Sequence, residues 1–289
     1  MKKPVFTGVG TALVTPFLGE QINYPLVEQL LKVQMDANIP AVILSGTTGE
    51  SSTLTDEEKN QLIRRSKRYV GNRCIVIAGT GSNDTAHAID LSCQAQEAGA
   101  DALLIVSPYY NKGNPDGLNR HYIAIADAVT IPIIIYNVPS RTGVNIPVSV
   151  YRSLAQHPNI NGVKEASTDI TKILKIRSVC PNDFYIWAGN DDQTVPVMSL
   201  GGKGVVSVLS NICPGDVAAM TSAALAGDFD TAAELQCLFQ PLIELLFADI
   251  NPIPVKYAMQ YAGFDCGSCR LPLGKLNDVV KKKIDRYFQ

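Results

Sequence analysis

The run Ile131-Pro-Ile-Ile-Ile135 decides the fold of this chain, because its apolar residues do not alternate with polar ones. Strands that are buried on both faces have this pattern, and parallel strands are buried in that way. Similar β-branched runs recur along the chain, each followed by a segment with helical spacing. They predict eight strands: Gly8–Val14, Ala41–Ser45, Ile75–Ala78, Ala102–Val106, Ile133–Tyr136, Ile160–Lys164, Tyr185–Ala188 and Gly204–Ser207.

The segments between these strands carry the signals that begin and end helices. Thr55–Glu58 has the spacing of a capping box, and a helix is predicted over Ala86–Ala98, directly before a glycine. Further helices are predicted over Asp116–Ala128 and from Thr168 to about Val179. Eight strand-then-helix units predict an α/β protein with a closed (β/α)8 TIM barrel.

A doubly wound open sheet has the same alternation of strands and helices, and it is the alternative fold. Such a sheet usually has a glycine-rich phosphate loop after its first strand. Here the first strand leads into Thr15-Pro16-Phe17, which is not a loop of that kind. The sequence therefore favours the barrel.

The part of the chain beyond Pro214 is strongly helical and exceeds the single helix that closes a barrel. We predict a (β/α)8 barrel over residues 1–224 and a C-terminal helical extension over residues 225–289, packed on the barrel as part of one continuous unit. The predicted helices are Asp216–Leu225, Asp230–Leu246, Pro254–Tyr261 and Asn277–Tyr287.

Composition and charge exclude several classes of protein. A hydrophobic fraction of 46% and a charged fraction of 18% are typical of a globular protein with a substantial core. A net charge of -2 without a basic stripe argues against a nucleic-acid partner. No apolar run reaches the roughly 18 residues of a membrane span. We expect neither a nucleic-acid nor a membrane partner.

Cysteine usage indicates a reducing compartment. The seven cysteines are odd in number and have no disulfide-framework spacing, which fits the cytoplasm. Cys266-Gly-Ser-Cys269 could be a redox pair or half of a zinc site, but no second such pair accompanies it. We interpret it as two thiols in a loop.

Lys164 is the leading candidate for chemistry, because active sites of parallel barrels lie at the carboxyl ends of the strands. It ends the apolar run Ile160-Asn-Gly-Val163 on a strand that we expect to be buried. Burial disfavours a charged amine, so the neutral form becomes available as a nucleophile toward a carbonyl. The alternative is a lysine that reaches solvent or pairs with Glu165.

Three other strand ends carry side chains that could assist such an amine. Gly46-Thr-Thr-Gly49 places hydroxyls and backbone N–H groups in a turn that could bind a carboxylate. Alternatively, this turn only ends the strand and begins a loop. Tyr136 could transfer protons, or it could be a core tyrosine. Arg141 lies in the predicted loop Pro139–Gly143, where it could bind a carboxylate bidentately or remain solvated.

The sequence predicts neither a metal nor a cofactor. His87 and His121 lie on predicted helices, His157 precedes a proline, and no HxH or HExxH spacing occurs. Neither a Walker-type loop nor a GxSxG elbow is present. An imine mechanism requires no cofactor, and this agrees with the choice of Lys164.

Three motifs in order resemble those of the dihydrodipicolinate synthases, within the pyruvate-dependent aldolase superfamily that includes N-acetylneuraminate lyase. They are Gly46-Thr-Thr-Gly-Glu50, Tyr136-Asn-Val-Pro-Ser-Arg-Thr-Gly143 and Gly162-Val-Lys-Glu-Ala166. The resemblance extends from about Phe6 through Asn251–Lys256 to the Leu271–Leu273 tail. The Ser-Arg-Thr-Gly stretch distinguishes the synthases from their lyase relatives.

The resemblance implies a role for each matching residue. Lys164 would form an imine with pyruvate, and Tyr136 would donate and accept protons beside it. Thr47 and Tyr110 would complete a proton relay, with Tyr110 entering from a neighbouring subunit. The remaining residues would bind substrate: Thr48 and the backbone of Val206 the pyruvate carboxylate, with Gly189 close by, and Arg141 the carboxylate of aspartate semialdehyde.

The resemblance also implies a product and an assembly. The product would be 4-hydroxy-tetrahydrodipicolinate, a precursor of diaminopimelate and lysine, and the assembly a homotetramer made of two tight dimers. Within the superfamily, a lyase acting on a sialic or sugar-derived keto acid would share Lys164 and Tyr136 but would not need Arg141. A catalytically silent barrel, retained for binding or regulation, would need none of the three.

One departure from the family pattern concerns inhibition by lysine. Lysine-inhibited members commonly carry His or Glu where this chain has Lys59, and Glu where it has His87, in a crevice at the tight-dimer interface. Ser51, Asn83 and Tyr109 are retained. A cation at position 59 would repel the ammonium groups of lysine. We therefore expect an enzyme that is insensitive or weakly sensitive to lysine.

Overall fold

Eight parallel strands close into a barrel in the computed structural model, which describes residues 1–289. The predicted (β/α)8 fold is confirmed. A short antiparallel hairpin, β2 and β3, lies outside the barrel. The strands are β1 (Gly8–Ala12), β2 (Phe17–Leu18), β3 (Gln21–Ile22), β4 (Ala41–Leu44), β5 (Ile75–Gly79), β6 (Ala102–Val106), β7 (Ile133–Asn137), β8 (Ile160–Glu165), β9 (Tyr185–Ala188) and β10 (Gly204–Ser207).

The barrel closes where β1 pairs with both β4 and β10. Gly8 lies opposite Gly204 in the parallel register. A Cβ atom at position 204 would lie 1.8 Å from the carbonyl oxygen of Gly8, and φ there is +146°. No side chain could be accommodated at this seam, so glycine is required for closure.

Helices cover the outside of the barrel. The capping box at Thr55 is confirmed, since its hydroxyl accepts from the backbone of Glu58 while the Glu58 carboxylate accepts from the backbone of Thr55. The helices are α1 (Tyr24–Asp36), α2 (Asp56–Val70), α3 (Thr85–Glu97), α4 (Pro115–Ala128), α5 (Pro139–Thr142), α6 (Val148–Leu154), α7 (Thr171–Val179), α8 (Thr194–Ser199), α9 (Pro214–Ala226), α10 (Phe229–Leu246), α11 (Ile253–Ala258) and α12 (Asp278–Tyr287).

Several predicted boundaries were wrong by a few residues. The first strand ends at Ala12, two residues before the predicted end. The helix predicted to begin at Asp116 begins at Pro115, because Asn114 is its cap and accepts from the backbone of Gly117. The predicted loop at Pro139 is a single helical turn, α5. Proline is favoured in a first helical turn, which explains this start.

Three α-helices follow α9, as the helical tail predicted. The helix α10 packs against α8, α9 and α12, so the extension lies directly on the barrel. The predicted division between residues 224 and 225 falls inside α9, which continues to Ala226; the division itself stays a prediction. None of the α-helices combines the length and the hydropathy needed to cross a membrane.

The core has two parts, one inside the barrel and one between the strands and the helices. Inside, the ring of Phe6 stacks on that of Trp187 at a centroid distance of 5.2 Å, and the Trp187 indole donates to the Phe6 carbonyl. Phe6 precedes β1, so this pair fills the end of the barrel at which the strands begin. The space that remains lies toward the carboxyl ends of the strands.

Candidate active site

Lys164 reaches the interior of the barrel because β8 contains a bulge. The pairing of β8 with β7 skips Asn161, which lies between Ile160 and Gly162. Ile160 belongs to the outer part of the core, whereas Lys164 lines a cavity inside the barrel. In a regular strand, positions 160 and 164 would share one face. The extra residue changes the face and directs the amine inward.

The amine of Lys164 lies beside Tyr136, as the sequence predicted. The two residues are register partners on β8 and β7. The Lys164 Nζ lies 4.0 Å from the centroid of the Tyr136 ring, and Lys164 is only 6% exposed. Both residues line a cavity of about 150 Å³. A buried amine and a phenol thus share one small chamber.

Glu165 does not pair with Lys164, because the next residue along a strand faces the opposite side. The Glu165 carboxylate accepts hydrogen bonds from the Asn137 amide at 2.6 Å and from the Tyr151 hydroxyl at 3.2 Å. It forms its ion pair with Lys172, at 3.5 Å. Burial, with the Glu165 charge as a second cause, raises the pKa of Tyr151 well above its usual value. Lys164 therefore keeps its amine free of a carboxylate partner.

Thr47 and Thr48 line the same cavity, on the turn that follows β4. The turn is tightly hydrogen-bonded: the Glu50 N–H donates to the Thr47 carbonyl at 3.1 Å, and the Ser51 N–H donates to the Gly46 carbonyl at 3.2 Å. Glu50 has a left-handed backbone, with φ 57°. The predicted carboxylate-binding turn is thus a compact structure directed at the chamber.

Arg141 lines the mouth of the cavity from α5. Its Nη2 donates to the backbone carbonyl of Asn251 at 3.1 Å, and the Asn251 amide donates to the Thr48 hydroxyl at 3.0 Å. Asn251 thereby connects Arg141 with the turn that carries Thr47 and Thr48, here called the threonine turn. The side-chain oxygen of Asn251 is buried without a partner. Sequence reasoning noted Asn251 only as part of a segment that resembles the family, and it did not assign Asn251 to the site.

The other predicted site residues lie at different distances from the chamber. Gly189 lines it, and a Cβ there would lie 2.5 Å from the Cβ of Ala166. Val206 is buried on β10 opposite Gly10 and does not line the cavity, whereas Val208 does. Tyr110 is 90% exposed and lies outside the cavity, with φ 70°.

Asp191 is a buried acid near the site that sequence reasoning missed. Its Oδ2 accepts from the backbone N–H groups of Val208 at 2.8 Å and Leu209 at 3.2 Å. Burial raises the pKa of this carboxyl, while those hydrogen bonds and the charge of Lys164 oppose the shift. The carboxylate therefore holds the segment after β10 against the end of β9.

A second, larger cavity of about 480 Å³ adjoins the first, and Thr47, Val138 and Arg141 line both. It contains Lys59, whose Nζ lies 3.2 Å from Asp56, and His87, whose Nε2 lies 2.9 Å from the other oxygen of Asp56. The hydrogen bond from His87, followed by Lys59, lowers the pKa of Asp56. The remaining predicted crevice residues also line this cavity: Ser51, Asn83 and Tyr109.

The structure brings no three His, Cys, Asp or Glu side chains together in an arrangement that could hold a metal ion. All seven cysteines are free thiols, and Cys266 and Cys269 are no exception.

Comparison with known proteins identifies the family. The model of the Dihydrodipicolinate synthetase family matches residues 5–289. The chain belongs to this family. It is therefore an enzyme, a lyase of the aldolase type, and the predicted resemblance is confirmed.

Relatives and solved structures of the synthetase family match nearly the whole chain. The 4-hydroxy-tetrahydrodipicolinate synthase of Thermoanaerobacter pseudethanolicus is 49% identical over 289 residues, which cover 98% of this chain and 97% of the relative. The dihydrodipicolinate synthase structure from Aquifex aeolicus has a TM-score of 0.95 at 39% identity, covering 98% of this chain and 97% of that one. The enzyme from Cyanidioschyzon merolae, solved with lysine bound, has a TM-score of 0.95 at 38% identity and the same coverage.

Proposed function

We propose that this enzyme condenses pyruvate with aspartate 4-semialdehyde and releases 4-hydroxy-tetrahydrodipicolinate, on the route to diaminopimelate and lysine. One observation carries the proposal: the Lys164 amine lies over the Tyr136 ring inside a chamber that Thr47, Thr48 and Arg141 also line. The names of the relatives support the same activity. The size of the chamber suits a three-carbon keto acid.

The proposed reaction proceeds through an imine on Lys164. The neutral amine attacks the keto carbon of pyruvate, and loss of water leaves an iminium ion. The iminium withdraws electrons from the pyruvate methyl group, which loses a proton to give an enamine. The enamine carbon attacks the aldehyde of the second substrate. The amino group of that substrate then displaces Lys164 by closing the ring, so each barrier is lower than that of a single step.

Proton transfers in this scheme are assigned to Tyr136, with Thr47 and Tyr110 as its relay. The Thr48 hydroxyl and the Val206 backbone would bind the pyruvate carboxylate, with Gly189 beside them. Val206 is the least direct of these assignments, since Val208 and not Val206 lines the chamber.

Arg141 is assigned to the carboxylate of aspartate semialdehyde. Its guanidinium lies at the mouth of the chamber and is held by one hydrogen bond to the Asn251 carbonyl. Other N–H groups of the guanidinium therefore remain available to a carboxylate, which arginine binds bidentately. This assignment separates the synthase from a lyase that acts on sugar-derived keto acids.

Tyr110 supports the proposal of a shared active site. It is an aromatic side chain that is 90% exposed, on a left-handed residue in the segment after β6. Exposure of this kind is unusual for a tyrosine with a catalytic assignment, but it is expected of a residue that enters a neighbouring subunit. We infer a homo-oligomer, a tetramer built as a dimer of dimers, in which Tyr110 completes the partner's relay.

The test of the proposed function is trapping of the imine with borohydride. Pyruvate and borohydride should add the mass of reduced pyruvate to one peptide, the one containing Lys164, and should inactivate the enzyme. Lys164→Ala should prevent the adduct, while Lys175→Ala, which removes an exposed lysine of α7, should not. An enzyme that forms no adduct, or that turns over only with N-acetylmannosamine or glyceraldehyde, would refute the proposal.

Weak sensitivity to lysine is the second part of the proposal. Bound lysine would place ammonium groups in the crevice that holds Lys59 and His87. Asp56, the crevice's carboxylate, is already paired with both of these residues. An additional ammonium therefore meets a cation and no free carboxylate. The C. merolae relative was solved with lysine bound, so at least one protein of this fold binds lysine.

We expect half-maximal inhibition only above about 1 mM lysine, which corresponds to a binding free energy weaker than about 4 kcal/mol. The double variant Lys59→Glu/His87→Glu should become more sensitive, because it removes the Lys59 cation and supplies two carboxylates. Arg68→Glu makes a similar charge change on the exposed part of α2 and is the control. Steady-state inhibition curves decide the matter, and a sub-millimolar effect on the unmodified enzyme would contradict the expectation.

A further inference from the structure

Lys256 and Glu50 form an ion pair that is almost completely buried. The Lys256 Nζ lies 2.9 Å from the Glu50 Oε1, and the side chains are 3% and 0% exposed. Lys256 belongs to α11 in the C-terminal extension, whereas Glu50 ends the turn that carries Thr47 and Thr48. The pair therefore connects two parts of the chain that are 206 residues apart.

The Lys256 amine is saturated with hydrogen bonds, and each oxygen of the Glu50 carboxylate has a partner. The Lys256 amine also donates to the Thr15 carbonyl at 3.1 Å and to the Ser268 carbonyl at 3.2 Å, so all three of its protons have acceptors. The second oxygen of Glu50 accepts from the Arg270 backbone at 2.9 Å. Burying two charges is costly unless their geometry and hydrogen bonding are complete. A pair buried this thoroughly is a poor means of stabilisation alone, which suggests a further use.

The hydrogen bonds around the pair lead directly to the threonine turn. Thr15, whose carbonyl accepts from Lys256, donates its hydroxyl to the Gly49 carbonyl at 2.8 Å. The Glu50 N–H donates to the Thr47 carbonyl, and Glu50 itself is held in a left-handed conformation. That conformation is unfavourable for a residue with a side chain and persists only where its surroundings hold it.

We propose that Lys256 and Glu50 are positioning residues for the pyruvate carboxylate. They hold the turn so that Thr47 and Thr48 face the chamber, although neither lines the chamber. This inference rests on the proposed function and assigns part of its pyruvate site to the C-terminal extension. Neither residue contacts Arg141, and the connection between Arg141 and the turn passes through Asn251. The semialdehyde side of the site should therefore depend on the pair much less than the pyruvate side does.

The test compares Lys256→Met with the neutral pair Glu50→Gln/Lys256→Met. The single variant leaves a buried carboxylate without its cation, so its melting temperature should fall; the double variant should regain most of that loss. In both, pyruvate should half-saturate borohydride trapping at a concentration about tenfold higher, as expected for the loss of a hydrogen bond to a charged group. The KM for the semialdehyde should change little.

Lys67→Met is the control, because it breaks the Lys67–Asp101 ion pair of 2.8 Å far from the turn. It should lower the melting temperature without changing pyruvate half-saturation. Trapping on the unmodified enzyme comes first, since its absence would refute the proposed function rather than this inference. If the unmodified enzyme is trapped, normal pyruvate half-saturation in the double variant would show that the pair is structural only and would overturn the inference. That result counts even if Lys256→Met alone does not fold.

Discussion

Arg141 lines both cavities of the site, and we propose that it binds the carboxylate of the second substrate. Arg141→Met retains much of the side chain's length but removes the guanidinium. We expect the KM for aspartate semialdehyde to rise at least about tenfold, since a charge-assisted hydrogen bond contributes about 1.5–3 kcal/mol. Borohydride trapping with pyruvate should remain near normal, because Arg141 does not contact the Lys164 amine in the structure.

Steady-state kinetics with each substrate in turn measure this effect, and Arg152→Met on the exposed part of α6 is the control. An equal loss for both substrates would show that Arg141 only supports the fold.

At the scale of single residues, the sequence predicted Lys164, Tyr136 and Arg141 because each lies at or just after a strand end. It could not predict Asn251, which contacts Arg141 across 110 residues of chain. A local sequence pattern cannot predict a contact between residues so far apart in the chain.

The strand β8 directs the Lys164 amine into the barrel, and its bulge is the feature that sequence periodicity could not predict. The apolar run Ile160–Val163 indicated a buried strand but not which side chains face inward. An extra residue in a strand changes the face of everything after it without changing composition. The side chain of Asn161 fills the bulge by accepting from the Val5 N–H and donating to the Lys3 carbonyl. A polar residue followed by a glycine within an apolar run was the available signal of the bulge.

Gly162 is a position in β8 at which no side chain fits without displacing the neighbouring strand. A Cβ there would lie 2.0 Å from the Tyr185 carbonyl oxygen of β9. We expect Gly162→Ala to lower the free energy of unfolding by about 2–3 kcal/mol, in the range of an overpacked core, and to impair trapping at Lys164. Gly215→Ala is the matched control, because nothing lies within 4 Å of its Cβ position in α9. Denaturant unfolding compares the two, and equal stabilities would contradict the expectation.

At the scale of the whole molecule, the C-terminal extension is part of the site. Phe247 and Asn251 line the chamber from segments beyond the barrel, and Lys256 supports the threonine turn from α11. The sequence predicted the helical extension from its periodicity and described it as packed on the barrel. Its contribution to the chamber depends on long-range packing, which periodicity does not report. A barrel truncated after α9 should therefore lose part of the chamber lining as well as stability.

The proposed assembly of two subunits can be tested by asking whether Tyr110 acts in its own subunit or in the neighbouring one. Lys164→Ala should be inactive, and Tyr110→Phe should lose activity by about a hundredfold or more, as expected for loss of a proton-transfer group. If Tyr110 crosses the interface, a mixed dimer of the two variants has one site with both residues intact. Random mixing in equal amounts should then restore roughly a quarter of the normal activity.

The control for this experiment mixes Lys164→Ala with the double variant Lys164→Ala/Tyr110→Phe, which leaves no intact site in any arrangement. Co-expression with two different tags isolates the mixed species, and kcat per mixed dimer is the measurement. Activity no greater than that of the two parents would place Tyr110 in its own subunit's site. Recovery would instead explain why a tyrosine that is 90% exposed in one chain belongs to the catalytic relay: Lys164 reacts efficiently only when a second copy supplies that phenol.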